Sequence, residues 1–410
     1  QFGYYFQVPS CGPPVHCHPR APRHPHEGGD DIYAPKNDKD KWIGLLYHDS
    51  HDDSIRNNKF SVIMHRASAL APVLANHGYK LICYSPQNVN KEAKTVVGYA
   101  FENNEFKETI VDLPKINHDF YIGADGLDIY RKFQNWALDQ GCRLYPTKAI
   151  RKLAQDKLLA ARVISKFDNA IIPYTEEFDG TADQIQKYLL KKTIVFIKPR
   201  YGGRGNKILV VKSENDVFVA EYYNGTRKQI ASFPALPECV SYINSLANEE
   251  KHIIQEAVDV ITYEGSVFDI RALVFNEGSK WHFMSEVRIG IKSSEISNNG
   301  GTDIPIDFLE RIFSKEKASK IMEKIKETTL NLTIFLSREY NELINELAFD
   351  VMVDKSGNIY LAEINTKAGL AGLTKYGDFF NMTDYEKNFY EKLSVPHGEF
   401  LAKSLLCKDS

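Results

Sequence analysis

From residue 41 onward, short runs of hydrophobic residues alternate with longer stretches in which hydrophobic residues recur at helical spacing. Trp42–Tyr47 is such a run and predicts a strand, whereas the stripe at 61–77, which Gly78 ends, predicts a helix. Further elements predicted here are strands at Lys80–Ser85 and Phe120–Gly123 and a helix at Asp128–Gln140. This alternation is typical of a small open α/β domain, which we place at residues 41–150.

The rest of the chain is predicted to be richer in strands. A basic amphipathic helix is expected at Ala149–Phe167, and a glycine-rich loop at Lys198–Lys207 joins strands at Thr193–Ile197 and Ile208–Val211. The remaining elements are expected to be strands at His252–Gln255, Phe268–Phe275, Trp281–Gly290, Leu347–Val353 and Asn358–Ile364, and a long helix at Ser314–Tyr340. Because the glycine-rich loop opens a strand rather than a helix, it does not match a P-loop.

Residues 1–40 are rich in Pro, His and Gly and carry few aliphatic side chains. We interpret them as a disordered extension or a non-native leader, because interleaved prolines oppose a compact fold. The alternative is a zinc site, since thiolates and imidazoles bind this metal. Its ligands would come from Cys11, His16, Cys17, His18, His24 and His26.

Composition narrows the class of protein. A chain of 410 residues, 43% of them hydrophobic, predicts two or three domains. The net charge of -3 gives no reason to expect nucleic acid as a partner. We find no apolar run long enough for a membrane span and no signal peptide. The scattered cysteines predict reduced, mostly buried thiols in a cytoplasmic protein.

The last two predicted strands carry the strongest chemical signal. Asp350 lies within an apolar strand, and Glu363 and Asn365, two positions apart, leave the same face of the next strand. A buried carboxylate is costly unless a partner or a metal compensates for it. Oxygen ligands in this number are what Mg²⁺ uses when phosphates and water complete its octahedron. The alternative is an edge strand with solvated acids.

A cationic motif precedes this hairpin. Lys198 ends an apolar strand beside Gly202, Gly203 and Gly205. Glycines let backbone N–H groups approach phosphate oxygens, and a lysine supplies a point charge for them. The alternative is a plain hairpin turn.

Two weaker motifs lie between these elements. Gln255 and Glu256 end an apolar strand and could present polar groups to an adenine edge. Asp269 and Arg271 share a face of another strand, and Arg288 follows ahead of the turn at 298–301. Arginine binds carboxylate and phosphate bidentately, while surface ion pairing is the alternative.

In this order, the motifs resemble the ATP-grasp superfamily, over roughly residues 144 to 373. Lys157 matches the family's first ATP lysine, and Lys198 with Gly202, Gly203 and Gly205 matches its second lysine and phosphate loop. Gln255 and Glu256 match the adenine and ribose segment, and Asp350, Glu363 and Asn365 match the magnesium triad. Arg288 and Asn298, the latter before Gly300–Gly301, resemble the glutathione-synthetase and ribosomal-protein-glutamate-ligase branch. The chain looks most like bacterial spore-coat-associated ATP-grasp proteins.

The resemblance implies an α+β fold in which two small lobes clasp ATP, at residues 151–255 and 256–410, after the α/β domain. It implies ATP and two Mg²⁺ ions, or Mn²⁺, as cofactors. It implies a carboxylate–amine ligase that forms an acyl phosphate and then an amide bond. Arg288, Arg271 and Asn298 would be the catalytic residues.

The expected partners are a small-molecule or peptide carboxylate and an amine nucleophile, without nucleic acid or membrane, and a homodimer is left open. Two alternatives to the ligase stand beside it. One is a kinase on the same scaffold that phosphorylates a hydroxyl group. The other is a non-catalytic ATP-binding regulatory protein.

Overall fold

A computed structural model describes the fold over most of the chain. The described residues are 5–6, 42–52, 55, 57, 62–102, 105–121, 127–168, 171–203, 205–215, 217–225, 227–247, 250–278, 280–292, 294, 297, 302–304, 306–366, 396 and 398–404. The cysteines and histidines expected as zinc ligands, and also Asn298 and Gly300–Gly301, lie outside these ranges.

The first domain is built on a seven-stranded sheet in the order β4-β5-β3-β2-β7-β8, with β6 on β5. Its strands are β2 (Trp42–Leu46), β3 (Lys80–Tyr84), β4 (Val89–Asn90), β5 (Thr95–Glu102), β6 (Glu105–Asp112), β7 (Ile116–Asp119) and β8 (Arg143–Tyr145). The first helices are α1 (Val62–Asn76) and α2 (Leu127–Asp139). β3, β2, β7 and β8 are parallel, so the predicted α/β character is confirmed. Cys83 and Cys142 are free and buried, as predicted.

Two features of this sheet differ from the sequence prediction. The prediction of a strand at Phe120–Gly123 is wrong at Phe120 and Tyr121, which follow the paired residues Ile116–Asp119, and Ile122 and Gly123 lie outside the described residues. Three of the four positions of that buried strand, Asn117, His118 and Asp119, are polar, so the strand does not show as a hydrophobic run. The hairpin β5–β6 was not predicted, since its outer strand is largely exposed and polar.

The single helix predicted at Ala149–Phe167 is two helices, α3 (Lys148–Gln155) and α4 (Lys157–Phe167). Between them Asp156 has extended backbone angles, and its carboxylate accepts a hydrogen bond from the Leu159 amide at 3.1 Å. Aspartate is a preferred N-cap residue, so the chain stops one helix and starts another here. The break places Lys157 in the first turn of α4.

The second sheet has the order β13-β12-β11-β10-β14-β9. Its strands, all antiparallel to their neighbours, are β9 (Thr175–Glu177), β10 (Ile194–Pro199), β11 (Asn206–Glu214), β12 (Val217–Asn224), β13 (Arg227–Phe233) and β14 (His252–Glu256). The helices α5 (Ala182–Leu189) and α6 (Leu236–Ala247) pack on one face of it. The loop between β10 and β11 is the predicted glycine-rich loop, so its position between strands is confirmed.

The third sheet has the order β1-β17-β16-β19-β20, with β15 on β16 and β18 on β17. Its strands are β1 (Tyr5–Phe6), β15 (Thr262–Tyr263), β16 (Ser266–Asn276), β17 (Trp281–Ile289), β18 (Thr302–Ile304), β19 (Glu346–Val353) and β20 (Ile359–Asn365). The long helix α7 (Lys315–Tyr340) packs on this sheet, and the predicted helix and hairpin are confirmed.

Packing crosses the predicted domain boundaries at two places. Side chains of α3 and α4, such as Leu153 and Ile164, lie in the core of the third sheet. Phe400 and Leu401, near the carboxyl end, pack in the core of the first domain. The division at residues 150 and 255 therefore stays a prediction. Within the described ranges, no helix has both the length and the apolar character to cross a bilayer.

Candidate active site

The hairpin β19–β20 brings the three predicted metal ligands together. Asp350 pairs directly with Glu363, so the two side chains leave the same face, and a bulge follows Asp350. The Asn365 amide donates to Asp350 Oδ2 at 3.3 Å. The Asp350 side chain is only 2% exposed, whereas 23% of the Glu363 side chain is exposed. Asp350 is therefore fixed within the sheet, whereas Glu363 faces the cleft.

Arginines surround Asp350. Arg271 donates from Nε to Oδ1 at 3.0 Å and from Nη2 to Oδ2 at 3.2 Å, and Arg288 Nη2 lies 3.1 Å from Oδ1. Burial alone would raise the pKa of Asp350, but the two guanidinium groups outweigh burial and hold the pKa at about 2. The predicted catalytic arginines thus contact a predicted metal ligand, which remains ionised.

Asp269 is a further member of this cluster; the sequence placed it beside Arg271 on one strand face without giving it a role. It pairs with Arg288 across β16 and β17, and Arg288 Nε donates to its Oδ1 at 2.7 Å. The Ser297 hydroxyl donates to Oδ2. Burial and the charge of Asp350 raise the pKa of Asp269, while Arg288 and Ser297 oppose that rise. The sequence feature that could have identified Asp269 as a site residue is the strand face that it shares with Arg271.

The two predicted ATP lysines lie on the other side of Glu363. Lys157 Nζ donates to the Gly202 carbonyl at 2.6 Å and lies 3.7 Å from Glu363 Oε1. Lys198 Nζ donates to Gln255 Oε1 at 2.8 Å. Burial and the neighbouring Lys157 lower the pKa of Lys198 to about 8, against the opposing effect of Glu363. Two ammonium groups that line one cavity repel each other, so the binding of an anion there is favourable.

A cavity of about 230 Å³ lies between these side chains. Both lysines, Glu363 and the glycine-rich loop line it. Gly202 has φ +116°, which L side chains rarely adopt, although a Cβ there would meet no atom within 4 Å. Glycine at this position is therefore required by the backbone conformation, not by crowding.

Gln255 and Glu256 have local partners that differ from the predicted adenine contact. Gln255 Nε2 donates to Thr175 Oγ1 at 2.9 Å while its Oε1 accepts from Lys198, so the side chain holds that lysine in place. Glu256 Oε1 accepts from the Tyr174 amide at 3.0 Å. The adenine contact stays a prediction.

An ion pair that the sequence did not reveal positions Lys157. Arg200 donates to both carboxylate oxygens of Asp156, at 2.8 and 2.7 Å, and the Lys157 amide donates to the Arg200 carbonyl at 3.0 Å. These contacts fasten the start of α4 to the end of β10. The partners lie 44 positions apart, so no local pattern could pair them.

The donor set suits Mg²⁺ only in the company of phosphate. Among the described residues, no three His, Cys, Asp or Glu side chains lie close enough to hold a metal ion by themselves. Mg²⁺ commonly binds through one or two carboxylates together with substrate phosphates. Asp350, Glu363 and Asn365 fit that arrangement beside the lysine-lined cavity.

Curated relatives of the chain come from Bacillus subtilis (strain 168). The chain is 23% identical to endospore coat-associated protein YheC over 314 residues, which cover 74% of this chain and 84% of YheC. It is also 23% identical to endospore coat-associated protein YheD over 324 residues, which cover 71% of this chain and 65% of YheD.

Solved structures of similar proteins include D-alanine–D-alanine ligase from Bacillus anthracis, at 11% identity and a TM-score of 0.49, covering 89% of this chain and 99% of that one. A RiPP-associated ATP-grasp ligase from Chryseobacterium gregarium, in complex with ADP and a leader and core peptide, has 11% identity and a TM-score of 0.48, covering 89% and 97%. The YheC/D like ATP-grasp family matches residues 148–391, more than half of the chain. The chain therefore belongs to the YheC/D-like ATP-grasp family.

Proposed function

We propose that the protein is an ATP-dependent carboxylate–amine ligase that activates its acid as an acyl phosphate. The observation that carries the proposal is the convergence of Lys157, Lys198 and Glu363 on one cavity beside the Asp350 hairpin. Membership of the ATP-grasp family supports it.

The charge balance of the site favours a polyphosphate. Three carboxylates, those of Asp269, Asp350 and Glu363, face four cationic side chains, those of Lys157, Lys198, Arg271 and Arg288. The lysines and the backbone N–H groups of the glycine-rich loop would bind the phosphates of ATP. The negative charge of Glu363, which lines the same cavity, reduces the repulsion between the two lysines when no nucleotide is bound.

Asp350, Glu363 and Asn365 would hold Mg²⁺. When bound, Mg²⁺ would neutralise phosphate charge during transfer of the γ-phosphoryl group. Arg288 and Arg271 border the same ligands and would stabilise negative charge on the transferred group. Asn298 stays a predicted catalytic contact.

The proposed reaction has two steps. A carboxylate oxygen of the acid attacks the γ-phosphorus of ATP, and ADP leaves. An amine then attacks the acyl carbon, phosphate leaves, and the amine loses a proton. Neither step needs a covalent nucleophile from the enzyme, and closure of the glycine-rich loop would exclude water from the acyl phosphate.

A screen for ADP release over pairs of acids and amines, with mass spectrometry of the products, tests the proposal. A ligase releases ADP only when both partners are present and yields an amide. ADP release with a hydroxyl compound alone and a phosphorylated product would establish the kinase instead. Nucleotide binding without ADP release under any pair would favour the regulatory binder. The cytoplasmic location and a homodimer also stay predictions.

A further inference from the structure

The carboxylate of Asp350 has donors on both of its oxygens. Oδ1 lies 3.0 Å from Arg271 Nε and 3.1 Å from Arg288 Nη2, and Oδ2 lies 3.2 Å from Arg271 Nη2 and 3.3 Å from the Asn365 amide nitrogen. Three of these contacts, two from Arg271 and one from Asn365, are hydrogen bonds, and Arg288 Nη2 adds the charge of a second guanidinium group beside Oδ1. A cation that approaches Asp350 therefore competes with these donors and meets two guanidinium charges.

The second carboxylate of the hairpin has a cationic neighbour as well. Lys157 Nζ lies 3.7 Å from Glu363 Oε1 while it donates to the Gly202 carbonyl. Both acids that the proposed function assigns to a metal therefore face protein cations. The glycine-rich loop contacts Lys157 as well, through the Gly202 carbonyl.

Arg288 has a second carboxylate partner besides Asp350. It pairs with Asp269 through Nε at 2.7 Å and Nη2 at 2.5 Å, in addition to its contact with Asp350. An arginine left unpaired in a buried site is strongly unfavourable. Asp269 removes that cost, because Arg288 keeps one carboxylate partner when it turns away from the other.

We infer that Arg271 and Arg288 close Asp350 to free divalent cations, and that nucleotide phosphates open it by drawing Arg288 away. Metal then binds together with the nucleotide and not before it. Asp269 is a positioning residue that holds Arg288 throughout. The inference rests on the proposed function, since it takes the β19–β20 hairpin as the metal site.

Titration of the full chain with Mn²⁺, followed by electron paramagnetic resonance of the unbound ion, tests the inference. Without nucleotide, the wild-type protein should bind Mn²⁺ weakly. With ADP present, and after subtraction of an ADP-only blank, affinity for Mn²⁺ should rise about tenfold or more. Equal affinity with and without ADP would overturn the inference.

Substitutions at Arg288 separate the blocking role from a general effect on the fold. Arg288→Gln should bind Mn²⁺ about tenfold more tightly than the wild type when no nucleotide is present. Arg288→Lys keeps the charge and should stay closed. The matched control is Arg131→Gln, since Arg131 is 68% exposed beside Asp128 and should behave as the wild type.

The outcomes distinguish this inference from the proposed function. If Mn²⁺ binds the wild type tightly without ADP, the inference fails, but the assignment of the β19–β20 hairpin as the metal site is retained. If Mn²⁺ fails to bind even with bound ADP, the assignment of Asp350, Glu363 and Asn365 fails as well. Should Arg288→Gln not fold, which near-ultraviolet circular dichroism shows, the wild-type titration alone decides between these results.

Discussion

The two ends of the cleft hold their charges in different ways. At the lysine end, Lys157 donates to a backbone carbonyl and Lys198 to the amide of Gln255. At the arginine end, Arg271 and Arg288 pair with carboxylates that are almost fully buried. Hydrogen bonds to neutral partners are weaker than those between ions, so the lysines exchange partners more readily.

This difference assigns nucleotide binding mainly to the lysine end and stability of the fold mainly to the arginine end. An arriving phosphate can take the hydrogen bonds of Lys157 and Lys198 from neutral acceptors at little cost, and the partly exposed pair of Lys157 with Glu363 adds at most about 1 kcal/mol. At the other end, the same exchange must leave a buried carboxylate with another partner. We therefore expect substitutions at the arginine end to damage stability first, and substitutions at the lysine end to damage nucleotide binding first.

The largest effect on stability is expected for Arg271→Ala. The change leaves Asp350, whose side chain is 2% exposed, without its bidentate partner. Breaking a buried pair in this way costs on the order of 3–5 kcal/mol. Chemical denaturation measures the free energy of unfolding. Lys320→Ala, which removes an exposed pair with Glu316, is the control and should change stability little. A loss for Arg271→Ala no greater than that of the control would contradict the architectural role.

Glu363→Gln should lower turnover far more than stability. Glu363 is partly exposed and lies 3.7 Å from Lys157, so the loss of that pair costs at most about 1 kcal/mol. Loss of its charge from the phosphoryl-transfer site should lower the rate of ADP formation by about a hundredfold or more.

Glu250→Gln provides the matched control for Glu363→Gln. Glu250 lines the same cavity but is half exposed and pairs with Lys207, so the same change of charge should cost much less turnover. Full turnover in Glu363→Gln, with stabilisation by Mg-ATP retained, would exclude Glu363 as a metal ligand.

Lys198→Ala should weaken ATP binding while the protein stays folded. A lost charge-assisted contact with phosphate costs on the order of 1.5–3 kcal/mol, which is roughly tenfold or more in affinity. Isothermal titration calorimetry measures the change. Lys355→Ala, at the exposed turn of the final hairpin, is the control. Identical ATP affinities for the two variants would remove Lys198 from the site.

Hydrophobic periodicity predicted the third sheet better than the first domain. β16 and β19 are nearly continuous buried apolar strands, which a sequence pattern shows directly. β7 is equally buried but contains Asn117, His118 and Asp119, each of which has a hydrogen-bond partner inside the fold. The break at Asp156 was hidden because the apolar stripe of the helix continues across it.

The site was predictable where its chemistry follows strand spacing. Glu363 and Asn365 are two positions apart, so their shared face could be read from the chain. Contacts between elements that are distant in the sequence could not be predicted, because they depend on the register of the strands in the sheet. The pairing of Asp269 with Arg288 and that of Arg271 with Asp350 both depend on which residues lie opposite each other in the sheet.

The smallest expected effect is a dependence of nucleotide affinity on pH. Burial and Lys157 lower the pKa of Lys198 to about 8, well below the value of 10.5 in an unfolded chain. Bound phosphate favours the protonated lysine and raises its pKa again. Below pH 8 the lysine is already charged, so affinity should be flat there. Above pH 8 binding must take up a proton, and affinity should fall by at most about tenfold per pH unit.

The lowered pKa of Lys198 has the opposite effect on the stability of the nucleotide-free protein, which should increase with pH. A charged Lys198 is penalised in the folded state, fully below about pH 8, and the penalty is relieved as pH rises from about 8 towards 10.5. Calorimetry with a non-hydrolysable ATP analogue between pH 7 and pH 9.5 measures the first effect; phosphate groups titrate near pH 6, below this window. Lys198→Arg, which stays charged throughout, should bind the analogue with no slope above pH 8. A wild-type slope that persists in Lys198→Arg would assign the titration to another group, and Lys198 would then be an ordinary lysine at the lysine end of the cleft.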